Sequence, residues 1–213
     1  MKRRAIKDDK SQFLFFKDKS YAKAYLEAGF MGMVEDGCEN KIIERMTEIA
    51  IQGDPSTQHL LGLCYEVGYG CAENHKEALK WWREAANQGL CEAQYSLGAC
   101  YYEGQGVRRS FEKAVYWLEK AALQDSYEAQ TLLGDCYYYG TGVRQDYNVA
   151  VMLYKLAANH GNANAQFRLS RCYAVGEGVE ADSAQMSYWL QQAAEQGQED
   201  ALAFLNKILS RPE

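Results

Sequence analysis

Proline is scarce in this chain: 213 residues include two, Pro55 and Pro212. Nowhere do valine and isoleucine alternate with polar residues over the length of a strand. These two shortages argue against β-structure and for an all-helical chain. No stretch approaches the roughly 18–20 apolar residues of a membrane span. The start, MKRRAIKDDKSQFLFF, is basic like the first region of a signal peptide, but Phe13–Phe16 is too short for its hydrophobic region and charge follows at once. The expectation is a non-exported, cytoplasmic protein with no membrane contact. Basic residues are outnumbered, giving a net charge of −6. That argues against nonspecific nucleic-acid binding, which needs a cationic surface. Histidines number three and no C-x-x-C occurs. Cys71 with His75 and His59 with Cys64 are the nearest approach to metal-ligand spacing, so neither metal nor cofactor is expected.

Apolar residues at 47% and charged residues at 24% suit a soluble protein of one or two domains. Tyrosine is abundant, with sixteen copies. The seven cysteines are odd in number, in a chain long enough to need no disulfide staples. Four of them, Cys64, Cys100, Cys136 and Cys172, stand 36 residues apart.

That interval runs through the chain. The blocks 54–89, 90–125, 126–161 and 162–197 align without gaps. Gln58, Gln94, Gln130 and Gln166 match, as do Tyr65, Tyr101, Tyr137 and Tyr173. Gly-x-Gly recurs at 68/70, 104/106, 140/142 and 176/178. A period of this size marks a solenoid, each repeat being one supersecondary unit. Each block reads as two helices. The first, near Pro55–Val67, places Leu60, Leu61, Cys64 and Val67 at helical spacing and stops at a glycine able to take the left-handed conformation. The second opens at Asn74, Ser110, Asp146 or Asp182, all favoured N-caps. It carries Trp81, Trp117, Leu153 and Trp189 and then Ala-Ala. Gly62, Gly98, Gly134 and Ser170 fall mid-helix, where glycine costs about 1 kcal/mol against alanine. Their recurrence implies close approach of the paired helix, with Trp and Tyr rings filling the space beside them.

The flanks fit a capped array in one solenoid domain. Residues 1–17 follow no register and read as an arm. Residues 18–53 read as a degenerate repeat, with Ile42, Ile43, Met46, Ile49 and Ala50 in second-helix register. Residues 198–213 read as a C-terminal capping helix.

Leu61-Gly62-x-x-Tyr65 with Ala85-Ala86 resembles the tetratricopeptide repeat, but glutamine stands where its tryptophan would. Ala93-Gln94-x-x-Leu97-Gly98-x-x-Tyr101-x-x-Gly104-x-Gly106-Val107 resembles the Sel-one-like repeat family at every position of its pattern. Block one departs at Thr57 and Cys71, block four at Ser170. The resemblance covers 54–197 and implies a right-handed α/α superhelical solenoid that serves as a scaffold for protein complexes, not an enzyme. Some secreted members of the family pair cysteines within a repeat. Here the shared cysteines are one per repeat and about 10 Å apart in stacked helices, beyond disulfide reach, as in a reduced intracellular member.

Two catalytic motifs need weighing. Gly-x-Gly lacks the preceding strand and third glycine of a dinucleotide fingerprint. Ser20-Tyr-Ala-Lys23 and Ser110-Phe-Glu-Lys113 match the S-x-x-K of β-lactamases, but the companion S-D-N and K-T-G strings are absent. A serine hydrolase acting through Ser20 or Ser110 is the least favoured reading, and no catalytic residue is assigned.

Recognition is the better reading. In tetratricopeptide-like solenoids the first helices line the concave face. With positions 58, 61, 62 and 65 inward, the groove is expected to hold His59 and Glu66 from the first repeat and Glu92, Tyr95, Tyr102 and Glu103 from the second. The third adds Glu128, Thr131, Asp135, Tyr138 and Tyr139, and the fourth Phe167 and Arg171. Tyrosine anchors interfaces because it buries area and keeps a polar tip. The carboxylates call for a protein or peptide partner with lysine or arginine. His59, Tyr95, Thr131 and Phe167 occupy a key row of the basic clamp that chaperone-binding tetratricopeptide domains use, so a chaperone C-terminus is not the expected ligand. The expected function is a non-enzymatic interaction adaptor, or else an immunity or regulatory protein that sequesters one enzyme.

Overall fold

The computed structural model describes residues 39–209, which form helices joined by short turns and no strand. The expected arm at 1–17, residues 18–38 of the degenerate repeat, and 210–213 of the cap lie outside the described residues. No described helix is long and apolar enough to cross a membrane. Two compact units divide the chain, at Gln88 and Gly89.

In the first unit, α1 (Glu39–Ile51), α2 (Pro55–Val67) and α3 (His75–Asn87) follow in order. α1 buries Ile43, Met46 and Ala50, the face that its second-helix register marks out. Asp54 caps α2 by accepting the Thr57 N–H at 2.7 Å, and Pro55 sits in the first turn, where its missing N–H costs nothing. The second unit holds α4 (Cys91–Glu103), α5 (Phe111–Ala122), α6 (Tyr127–Tyr139), α7 (Tyr147–Asn159), α8 (Ala163–Val175), α9 (Ser183–Glu195) and α10 (Glu199–Leu209). Each packs on the next, and α4 also touches α6, so the first helices of these repeats lie side by side.

The expected second-helix caps form. Asn74, Ser110, Asp146 and Asp182 each accept backbone N–H groups of the turn that follows. A second cap row opens the first helices: Asp54, Ser126 and Asn162 bond the third N–H beyond, while Leu90 at the equivalent place has no side-chain acceptor.

The two glycines of each loop have separate tasks. The first ends its helix in the left-handed region and returns its N–H to the carbonyl of the repeated cysteine, as Gly104 does to Cys100 at 2.8 Å. The second lies against the preceding repeat. At Gly142 a Cβ would come within 2.5 Å of the Phe111 carbonyl, and at Gly178 it would strike the Tyr147 carbonyl oxygen. In the third and fourth repeats the Gly-x-Gly loop thus stacks on the start of the preceding repeat's second helix.

The mid-helix glycines also meet a close neighbour on the paired helix. A Cβ on Gly62 would run into the Trp82 ring. On Gly98 it would stand 2.9 Å from Leu118, and on Gly134 2.6 Å from the Tyr154 ring. The facing row is therefore Trp82, Leu118, Tyr154 and Leu190, all fully buried, and not Trp81, Trp117, Leu153 and Trp189. One residue along a helix is a rotation of about 100°; Trp117 and Trp189 are half-buried there, while Trp81 and Leu153 stay buried.

Glutamine in place of tryptophan also has a physical cause. The four matching glutamines are buried, and Gln58, Gln130 and Gln166 reach back to the preceding repeat. Gln58 donates to the Ala50 carbonyl (2.9 Å) and accepts from Gln88 at the end of α3 (2.8 Å). Gln166 does the same with Ala158 (3.2 Å) and Gln196 (2.8 Å), and Gln94 accepts from Gln124 (2.8 Å). In the third repeat the donor position holds His160, whose ring stacks on Tyr127 at 4.4 Å. Gln130 still donates to Ala122 at 3.3 Å, but its buried Oε1 is left without a hydrogen bond.

Two stability measurements follow. Restoring the donor with His160→Gln is expected to raise the urea midpoint, gaining about 1 kcal/mol after the lost ring stacking is subtracted. Gly178→Ala forces a Cβ into a left-handed position against backbone and is expected to cost about 3 kcal/mol in the same assay. An unchanged midpoint in either variant contradicts the packing described.

Candidate first-helix recognition face

The residues expected to line the groove fall into three groups. The first is buried and engaged inside the protein. Glu66 pairs with Nδ1 of His75 at 2.8 Å, whose Nε2 lies 3.0 Å from Glu73. Thr131 donates to the Tyr127 carbonyl at 2.7 Å, with Asn162 Oδ1 3.3 Å away. Phe167 packs with Leu190, Ala193 and Ala201.

Asp135 is the most committed member of this group. It is 8% exposed. Arg168 of α8 grips it with two nitrogens, Nε at 3.0 Å and Nη2 at 3.2 Å, and the Tyr154 hydroxyl donates to it at 2.7 Å. Burial, the Asp135 charge and that hydrogen bond hold the Tyr154 phenol far above its ordinary range, so it stays a donor. Nothing in the repeat pattern announced this cluster except its exceptions. Leu60, Ser96 and Leu132 precede Arg168 at its position, and Tyr154 stands where other repeats have Trp82, Leu118 and Leu190.

The second group is partly buried. His59 sits beside Trp82, ring centroids 6.4 Å apart, and burial pushes its imidazole down to about 4, so it carries no charge at neutral pH. Tyr102 meets Phe111 edge-on at 5.4 Å. Tyr138 meets Tyr139 and Tyr147 in the same way and donates its hydroxyl to Glu177. Tyr95 is raised by burial first and then by Glu128 and Glu103. Glu92 and Glu128 also lie here. Glu128 accepts a long bond from Ser126 (3.4 Å) and has no cation paired to it among the described residues; burial pushes its carboxyl above the ordinary range. The third group, Glu103, Tyr139 and Arg171, is exposed. His59 and Glu66 belong to the first unit and the other eleven to the second.

The remaining chemical candidates are occupied structurally. Ser110 caps α5, accepting from the Lys113 N–H at 3.4 Å and donating to Glu112 at 3.0 Å. The Lys113 ammonium lies over the Tyr101 ring, 5.4 Å from its centre, instead of beside the serine. Ser20 is outside the described residues. Cys64, Cys100, Cys136 and Cys172 are fully buried; burial raises Cys64 to about 12 and Cys136 and Cys172 to about 11, leaving no thiolate to attack or ligate. Cys71 and Cys91 donate to the Cys64 and Ala121 carbonyls.

With this geometry in view, the comparisons are direct. The Sel1 repeat profile matches residues 55–90, 91–126, 128–162 and 163–198. The chain belongs to the Sel1 repeat family. A protective antigen of uropathogenic Escherichia coli displaying an SLR fold is 31% identical, with a TM-score of 0.76 over 86% of this chain and 39% of that one. A Sel1 repeat protein from Oxalobacter formigenes is 36% identical, with a TM-score of 0.69 over 80% of this chain and 50% of the other. The chain therefore spans half or less of the length of these two relatives. An immunity protein from Pseudomonas aeruginosa, 21% identical, shares the fold alone, at a TM-score of 0.54 over 85% of this chain and 68% of that one. Comparison with curated proteins finds no match. Sel1 repeat proteins mediate protein–protein interaction on a scaffold that is generally non-catalytic.

The Asp135 cluster makes a prediction of its own. Asp135→Ala strands the Tyr154 hydroxyl and the Arg168 guanidinium and is expected to cost about 2–3 kcal/mol. Adding Tyr154→Phe and Arg168→Leu should recover part of that loss in thermal unfolding. Full additivity of the three losses would show that the groups do not act together.

Proposed function

We propose that this Sel1 repeat protein is a non-enzymatic adaptor, and that the first-helix face of its second unit docks a partner polypeptide carrying basic residues. In a solenoid of this kind that face is the concave one. The observation that carries the reading is Glu128. Of the half-buried and buried acids on this face, Asp135 is neutralised by Arg168, whereas Glu128 is raised by burial and has no cation paired to it among the described residues. A partly desolvated carboxylate held by a long hydrogen bond alone is an unfavourable arrangement that an incoming ammonium or guanidinium relieves. Tyr102 and Tyr139 flank the region and supply apolar area with polar tips.

The tests are binding experiments. The Tyr102→Ala/Tyr139→Ala variant, with helicity matched to the wild type, is expected to lose a protein that the wild type captures from its source cells. A sequestering role would show as one partner held one-to-one. Partners retained equally by both proteins would remove the site from this face. For the captured partner, the pH dependence has a definite sign. Glu128 is protonated more easily in the free protein than an ordinary glutamate of 4.5, and a bound cation lowers its pKa. Affinity should therefore rise as the pH climbs from the ordinary glutamate range and level off above the raised value. Glu128→Gln should flatten that profile and weaken binding about tenfold at neutral pH. A wild-type profile flat across this range would contradict the role of Glu128.

A further inference from the structure

The free charges on the second unit's first-helix face are not all of one sign. Asp135 and Arg168 cancel each other at its centre. Glu128 on α6 and Glu92 on α4 form no ion pair among the described residues, and both lie in the first turn of their helices. Arg171 on α8 is exposed and likewise forms no ion pair among the described residues. The face thus has an anionic side on α4 and α6, a neutral centre at Asp135–Arg168 and a cationic side on α8. Three ties hold α8 directly beside α6: Asp135 to Arg168, Thr131 to Asn162 and Tyr138 to Glu177.

We infer that the partner is a bipolar segment, with a cationic residue seated at Glu128 or Glu92 and a carboxylate seated at Arg171. This rests on the docking face proposed above and adds its polarity. The spacing follows from the helices. Arg171 lies seven repeat positions beyond the equivalent of Glu128, about 10 Å along the helix axis at 1.5 Å per residue. Neighbouring first helices add about 10 Å sideways for Glu128 and about 20 Å for Glu92. The diagonals are roughly 15–23 Å, which an extended chain covers in about four to seven residues. Tyr139, exposed at the end of α6, and Tyr102 at the end of α4 offer aromatic surface to the residues around that path. A uniformly basic ligand fits worse, because one of its charges would lie against Arg171. A uniformly acidic one would meet Glu92 and Glu128. The opposite polarity of the two ends would also fix the direction in which the segment lies, which tyrosines alone do not.

The test pans a random peptide library displayed on phage against the full chain at low salt. The expected sequences place Lys or Arg about four to seven residues from Asp, Glu or a C-terminal carboxylate, with an aromatic or apolar residue between. Arg171→Glu should bind those peptides about tenfold more weakly, a loss of about 1.4 kcal/mol. The same variant should select peptides in which the acid is replaced by a second basic residue. Uniformly basic peptides that the Tyr102→Ala/Tyr139→Ala variant no longer holds would overturn the bipolar partner and leave the docking face standing. No peptide whose binding depends on Tyr102 and Tyr139 would overturn both.

Discussion

The repeats depend on one close approach. Midway along the first helix of three repeats a side chain of the paired second helix occupies the volume that a Cβ would need, and in the fourth the small Ser170 stands there. Trp82 lies over Gly62, Leu118 over Gly98 and Tyr154 over Gly134. Glycine inside a helix is unfavourable by about 1 kcal/mol, a cost smaller than burying a Trp, Leu or Tyr side chain offsets. The contact draws the two helices together, and the helix ends inherit their places from it. Turns short enough to join such a pair need left-handed residues, and stacking one turn on the previous repeat leaves no room for a second side chain at Gly142 or Gly178.

Polar groups inside this framework then decide which charges remain for other molecules. Buried amides and carboxylates need partners because their water is gone. The glutamine ladder meets that demand with backbone carbonyls and with a second glutamine, until His160 interrupts it. Asp135 meets it with Arg168 and Tyr154. An acidic residue engaged in this way contributes little to recognition. In the docking proposed above, Glu92, Glu128 and Arg171 are the charges that would act on a partner and set its direction.

Chemistry that short motifs suggest dissolves on the same grounds. Gly-x-Gly is a stacking turn, Ser110 is a helix cap, and the spaced cysteines are core packing whose thiols burial keeps protonated. Each has a structural cause repeated in every unit, and a catalytic site rarely repeats. Conversely, Arg168 and Tyr154, which bind Asp135, and His160, which interrupts the glutamine ladder, are residues that break the repeat. In a chain of near-identical units the consensus positions build the scaffold, and the exceptions are where one unit differs in what it can hold.

Much of this was legible in the chain itself. The 36-residue interval, the two helices per unit, their caps and the mid-helix small residues follow from local preferences acting within a few turns, so reading along the chain recovers them. The rotation of a second helix about its axis does not follow in that way. The period is the same for the Trp81 row and the Trp82 row, and packing alone chose the latter to face the glycines. The groove behaved likewise. Spacing put Asp135 and Glu128 on one face, but the guanidinium that claims Asp135 comes from a helix 33 residues further on, and among the described residues no cation pairs with Glu128. Local sequence carries the preferences of each segment; the pairing of charges depends on which segments are brought within a few ångströms, and that distance exists once the repeats have stacked.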